Sequence, residues 1–185
     1  MLKNIRVVFV LFMICGMAYP LLITGLSQVM MPAQAEGSLI KNEKGKIIGS
    51  ELIGQSFEEA GYFHGRVSSI EYDAAGSGSP NYSPSNEEMI KRTKNEMSEF
   101  LKANPSIKKE EIPSDLMTNS GSGLDPNISP RGALVQVPRI AKERDISEQS
   151  LYNLVEEYTE NRSFGLFGEP HINVLKLNIA LDDLK

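Results

Sequence analysis

What this 185-residue chain has little of narrows its chemistry first. It holds one cysteine, Cys15, inside an uncharged stretch, so the rest of the chain has no disulfide and depends on its core or on a partner. It holds two histidines, His64 and His171, far apart and in no ligand spacing, which leaves a metal centre without support. No Gly-x-x-x-x-Gly-Lys-[Ser/Thr] phosphate loop occurs, and Gly45-Lys46-Ile47 lacks both the hydroxyl and the upstream glycine. Positive charge is scarce as well. Beyond Arg6 the chain carries 17 basic against 24 acidic residues, a net of −7. That balance argues against nucleic acid, or an anionic membrane surface, as an electrostatic partner.

Charge is missing altogether from Val7 to Met31, directly behind Lys3 and Arg6. A helix of that length, at about 1.5 Å per residue, exceeds a hydrocarbon core of roughly 30 Å. The expected layout is a cytoplasmic N-terminus over 1–6, a membrane helix over 7–31 and an extracytoplasmic domain over 36–185. A signal peptide would share the basic start, and Ala33-Gln34-Ala35 has the form of a cleavage site. The uncharged run, however, outlasts an h-region of roughly 7–15 residues, and Pro20 interrupts it, so a retained anchor is the reading taken. Both cations precede the helix, which puts the N-terminus inside and the domain outside. Gly16, Pro20, Thr24 and Gln28 recur every fourth residue and form one side of the helix. A stripe of small and weakly polar residues lets a partner helix approach, so this side is a candidate docking face. Pro20 has no N–H, which predicts a bend.

The remaining segments read as a mixed α/β domain with a small sheet. Ser38–Ile40 and Lys46–Ile48 flank a turn at Gly45 and predict a hairpin. A short helix is expected after Ser56, and a long loop over 73–85. Ser85-Asn86-Glu87-Glu88 caps a helix to about Ala103, with Met89, Ile90, Met97, Phe100 and Leu101 facing inward and Arg92 and Glu96 on a solvated side. Ser129 caps a helix opened by Pro130, which Pro138 breaks, and a second segment continues through Arg144. Ser147 caps the next, whose Leu151, Leu154, Val155 and Tyr158 repeat at helical spacing. After the Gly165–Gly168 turn, the alternation of Leu175, Leu177, Ile179 and Leu181 predicts a half-buried strand.

One loop invites chemistry. Ser120-Gly121-Ser122-Gly123 with Asp125 offers hydroxyls, a carboxylate and flexible amides. A nucleophile elbow needs glycine two residues before the serine, which Ser120 lacks. Glycine-rich amides ahead of a capped helix could instead cradle a phosphate, and the plainest reading is a structural turn with glycines at positive φ. The alternative function carried forward is an independent membrane-anchored enzyme or ligand-binding module using the 120–125 loop.

The short blocks of this chain also resemble a known family. Gly49-Ser50-x-Leu-Ile-Gly-Gln55, Tyr62-Phe63-x-Gly-Arg66, Ser120-Gly-Ser-Gly-Leu-Asp-Pro126, Ile128-Ser-Pro130, Gln136-Val-Pro-Arg139 and Gly168-Glu-Pro170 follow one another as they do in the C subunit of Kdp-type potassium-transporting P-type ATPases. The resemblance spans nearly the full length, including Tyr19-Pro20-Leu21 in the anchor. It implies an accessory, non-catalytic subunit of an ATP-driven potassium uptake complex. Its implied partners are a channel-like A subunit, a P-type ATPase B subunit and a small F subunit. The implied role is assembly and a catalytic chaperone effect that raises the ATP affinity of the B subunit, with Gln136 and Arg139 joining the 120–125 loop as candidate residues. No cofactor is expected to bind firmly, and ATP acts only through the ATPase subunit. Val67, Asn127 and His171 depart from the family's usual proline, histidine and arginine.

Overall fold

The computed structural model describes residues 2–184. Its contacts divide the chain into two units, Met1–Ser50 and Glu51–Lys185.

The first unit is built on a continuous helical run, Leu2–Met30, long and apolar enough to cross a membrane. At about 1.5 Å per residue it is roughly 43 Å long, which fits a bilayer with some tilt. It comprises α1 (Leu2–Met13), a widened π turn (Ile14–Ala18) and α2 (Tyr19–Met30). Tyr19 donates its N–H to Ile14 O, five residues back. The extra residue is thus taken up immediately before Pro20, where the ring would otherwise press on the carbonyl behind it. A one-turn helix, α3 (Pro32–Ala35), leads into the hairpin β1 (Leu39–Lys41) and β2 (Ile47–Ser50). The strands pair antiparallel with a bulge between Ile40 and Lys41, and Gly45 turns at φ +73°. Asn42 supports the turn by accepting from the N–H groups of Lys44 and Lys46.

The second unit packs short helices round one core. Its elements are α4 (Glu87–Ala103), a 3-10 turn (Lys109–Glu111), α5 (Ser114–Met117), β3 (Asn127–Ile128), α6 (Pro130–Leu134), α7 (Val137–Arg144), α8 (Glu148–Glu157), β4 (Ile172–Asn173) and α9 (Val174–Asp183). β3 and β4 pair antiparallel, Ile128 beside Ile172, and both side chains are buried. Phe63, Val137, Ile140, Leu151, Val155, Leu177 and Leu181 fill the centre. Serine caps open two of the helices as their spacing predicts. Ser129 Oγ accepts from Gly132 N, and Ser147 Oγ accepts from Ser150 N. Pro138 sits in the first turn of α7, so the helical run breaks at Val135–Gln136, just ahead of it.

Four local expectations are corrected. Residues 174–181 are helix, not strand: Asn173 caps α9 by accepting from Lys176 N, and Val174, Leu177, Asn178 and Leu181 face the core at helical spacing. A short apolar run fits both periods, and the cap together with the core contacts decides for the helix. The cap of α4 is Asn86, which accepts from Met89 N, rather than Ser85. On α4 the inward side carries Arg92, Thr93 and Glu96 beside Met97 and Phe100, while Ile90 points to solvent. The segment after Ser56 forms no helix.

Candidate functional site

The polar heart of the second unit is a segment without helix or strand, 60–66, that turns at Ala60–Gly61 and is held by side chains. Asn178 accepts from Phe63 N and donates to Phe63 O, both at 2.9 Å. Gln136, fully buried, treats the next residue alike, accepting from His64 N at 2.8 Å and donating to His64 O at 3.0 Å. It also donates to Gly132 O at 2.9 Å. Each carboxamide thereby does what a neighbouring strand would do, and no buried backbone group of Phe63 or His64 is left without a partner.

Arg139 completes the clamp. Its guanidinium donates to Asn104 Oδ1, Ala60 O, Tyr62 O and Gln136 Oε1. All four acceptors are neutral. Burial therefore pushes the Arg139 pKa down to about 10, with the charge of Glu143 working the other way. Burial, helped by the Arg139 charge, likewise pushes the His64 imidazole below its ordinary value.

The Ser-Gly-Ser-Gly loop lies in the same unit and is stitched by its own side chains. Ser120 Oγ accepts from Gly123 N at 2.9 Å, Ser122 Oγ from Leu124 N at 3.1 Å, and Asp125 Oδ1 from Asn127 N at 3.0 Å. Asp125 also pairs with Arg66 at 2.9 Å, whose other donors reach Thr118 O and Asn119 O. Gly123 has φ +73°, and a Cβ there would sit 2.8 Å from Ile70 Cγ1 and 3.0 Å from Gly78 O. Gly54 donates to Leu124 O and passes so close that a Cβ would fall 2.7 Å from Asp125 O. Gly121 alone of the loop's glycines is open, with nothing within 4 Å. Neither histidine is bonded to this loop: His64 Nε2 meets Glu59 O at 3.1 Å and His171 Nδ1 meets Glu169 O at 2.9 Å.

Two grooves flank the clamp. One, of about 720 Å³, is lined by Glu58, Glu71, Glu96 and Glu99 with Arg66, and burial together with Glu99 raises the Glu96 pKa. The other, of about 590 Å³, sets Lys102, Arg139 and Lys142 against Glu58 and Glu143. The structure thus brings Gln136 and Arg139 together and places the 120–125 loop in hydrogen bonds of its own. Asn104, Asn173 and Asn178, buried amides that sequence reading passed over, complete the polar framework. Their signal was available: Asn173 precedes an apolar run as helix caps do.

In the first unit Gly16, Pro20, Thr24 and Gln28 are all exposed along the helix. A Cβ at Gly16 would meet only the Phe12 ring, at 3.8 Å, so nothing among the described residues requires glycine there.

A helix long and apolar enough to cross a membrane, followed by a mixed α/β domain whose buried polar residues brace backbone, fits the class of membrane subunits with a single helix. The chain belongs to the KdpC family, described as the K+-transporting ATPase c chain, whose profile matches residues 1–183. It is 53% identical over 180 residues to the potassium-transporting ATPase KdpC subunit of Bacillus cereus, covering 97% of this chain and 93% of that one. The subunits of the same name from Bacillus anthracis and Bacillus thuringiensis subsp. konkukian are each 52% identical with the same coverage. The chain is thus a subunit of a potassium-transporting ATPase and not a catalytic enzyme by itself.

Proposed function

We propose that this subunit promotes assembly and stability of an ATP-driven, high-affinity potassium uptake complex and raises the ATP affinity of its ATPase subunit as a catalytic chaperone. Its partners in this reading are the channel-like A, ATPase B and small F subunits. The anchor is retained, its N-terminus is cytoplasmic, and the stripe Gly16, Pro20, Thr24 and Gln28 docks on a partner helix.

The observation that carries the reading is the occupancy of the Ser-Gly-Ser-Gly loop. The N–H groups of Gly123, Leu124 and Asn127 already donate to Ser120, Ser122 and Asp125. Amides committed in this way make a poor phosphate cradle. With the domain outside and ATP inside, an effect on nucleotide affinity reaches the ATPase subunit through the assembly and not by direct contact.

Co-expression with a tagged ATPase subunit, followed by purification in mild detergent, tests it. The expected result is co-elution, and a rise in the ATP concentration for half-maximal ATPase activity when the subunit is left out. A chain that elutes alone and leaves that concentration unchanged overturns the proposal.

A further inference from the structure

The carbonyls of the 59–62 turn all face basic side chains. Tyr62 closes the turn by donating its N–H to Glu59 O at 3.1 Å. His64 Nε2 meets Glu59 O at 3.1 Å, Arg139 donates to Ala60 O and Tyr62 O, and Arg144 donates to Gly61 O at 2.6 Å. A carbonyl only accepts, so Nε2 carries the ring proton and Nδ1 is the atom that a further proton reaches. Gln136 links the histidine to the same guanidinium, since its Oε1 accepts from both His64 N and Arg139 Nη2. Asp182 neutralises Arg144 at 2.7 Å, whereas the acceptors of Arg139 are neutral. The imidazole thus shares one short turn with two guanidiniums, one of them bonded to no carboxylate among the described residues.

We propose that His64 is an acid-sensitive latch: as the neutral ring it fastens the 59–62 turn beside α7, and on gaining a proton at Nδ1 it releases that turn. Protonation sets a third cation on the four residues that Arg139 and Arg144 already hold. Other charges face the ring across the two grooves that it lines. Glu96, Glu99 and Lys102 come from α4, Lys142 and Glu143 stand with Arg139 on α7, and Glu58, Arg66 and Glu71 flank the histidine's own segment. Of these, Glu58 favours a charged ring, as does the bond to Glu59 O. Burial and the Arg139 charge oppose it and prevail, holding the imidazole pKa below its ordinary value. The release is local, because Asn178 keeps both backbone bonds to Phe63. Glu58 and His64 line both grooves, so a freed turn changes the shape of each.

Amide hydrogen exchange, followed by NMR on the full chain in detergent, tests the latch. After correction for the intrinsic rate, the Tyr62 and His64 amides should exchange about three- to tenfold faster at pH 5.5 than at pH 7.5. They should also exchange ahead of Val155 in the core, which marks a local opening. Rates at the two amides that stay level between those pH values, or that only match Val155, overturn the proposal. The chain has two histidines, so each can be removed in turn. The acid acceleration should vanish in His64→Gln and remain in His171→Gln, whose ring instead meets Glu169 O. Acceleration that persists in His64→Gln overturns the latch. His171→Gln also leaves a single imidazole signal with the turn untouched. That signal should titrate below the ordinary 6.5, and a midpoint at or above 6.5 overturns the proposal without any change to the 59–64 segment.

Discussion

Asn178 closes a two-bond ring on the peptide of Phe63, accepting from its N–H and donating to its carbonyl, each at 2.9 Å. The residues are 115 positions apart in sequence and both are buried. A helix and an irregular segment are thereby fixed to each other by one carboxamide, in the place where the alternating pattern of 174–181 suggests a strand.

Asn178→Leu should therefore be severe. It keeps the volume but strands a buried N–H and a buried carbonyl, at about 1–3 kcal/mol each. Thermal unfolding of the full chain in detergent should show a loss of about 2–5 kcal/mol. A variant as stable as wild type would mean the ring contributes nothing.

The glycines of the 120–123 loop should separate cleanly. Gly123→Val puts a β-branched side chain at φ +73° and into Ile70 and Gly78 O, and should cost more than about 2 kcal/mol. Gly121→Ala has open space and should be near neutral. Ser122→Ala removes one half-buried acceptor for Leu124 N and should cost about 1 kcal/mol without touching ATPase activity of the complex. Loss of that activity at unchanged stability would point to chemistry at the hydroxyl.

His64 sets a pH dependence. Its pKa is lowered in the folded state, chiefly by burial, so the unfolded chain takes up the proton first. Stability should then fall as pH drops below about 6.5. In His64→Gln the decline between about pH 7 and 5.5 should flatten. Glu96, whose pKa is raised, shifts stability the opposite way, but from its ordinary 4.5 upward, so its effect is concentrated nearer the acid end. Identical pH profiles for wild type and His64→Gln would remove the histidine from the account.

The helix stripe predicts a contrast between two leucine substitutions. Gly16→Leu should reduce recovery of the subunit with the complex while leaving membrane insertion intact, since no contact among the described residues needs the glycine. Val10→Leu, off the stripe, should do little. Equal pull-down yields would sink docking through this face.

Much of this protein is local, and local features are legible in sequence. An uncharged run of that length reads as a helix long and apolar enough to cross a membrane without help from any distant residue, and Leu2–Met30 has that form. Ser129, Ser147 and the hairpin turn at Gly45 are settled by hydrogen bonds within a few residues of one another. What only the tertiary structure decided depends on partners distant in the chain. The sequence pairs Leu175, Leu177, Ile179 and Leu181 in strand-like alternation, and it is Asn173 capping toward Lys176, with Asn178 reaching Phe63, that winds the segment into α9. Arg92 and Glu96 look solvated by their charge, yet Arg92 turns inward because Ser69 and Asn119, 23 and 27 positions away, supply its acceptors. Gln136 and Arg139 show as a motif, while their meaning, the bracing of residues 60–64, lies more than seventy positions upstream. A buried polar side chain is specified by the groups that satisfy it, and for Gln136, Arg139 and Asn178 some of those groups lie more than seventy positions away.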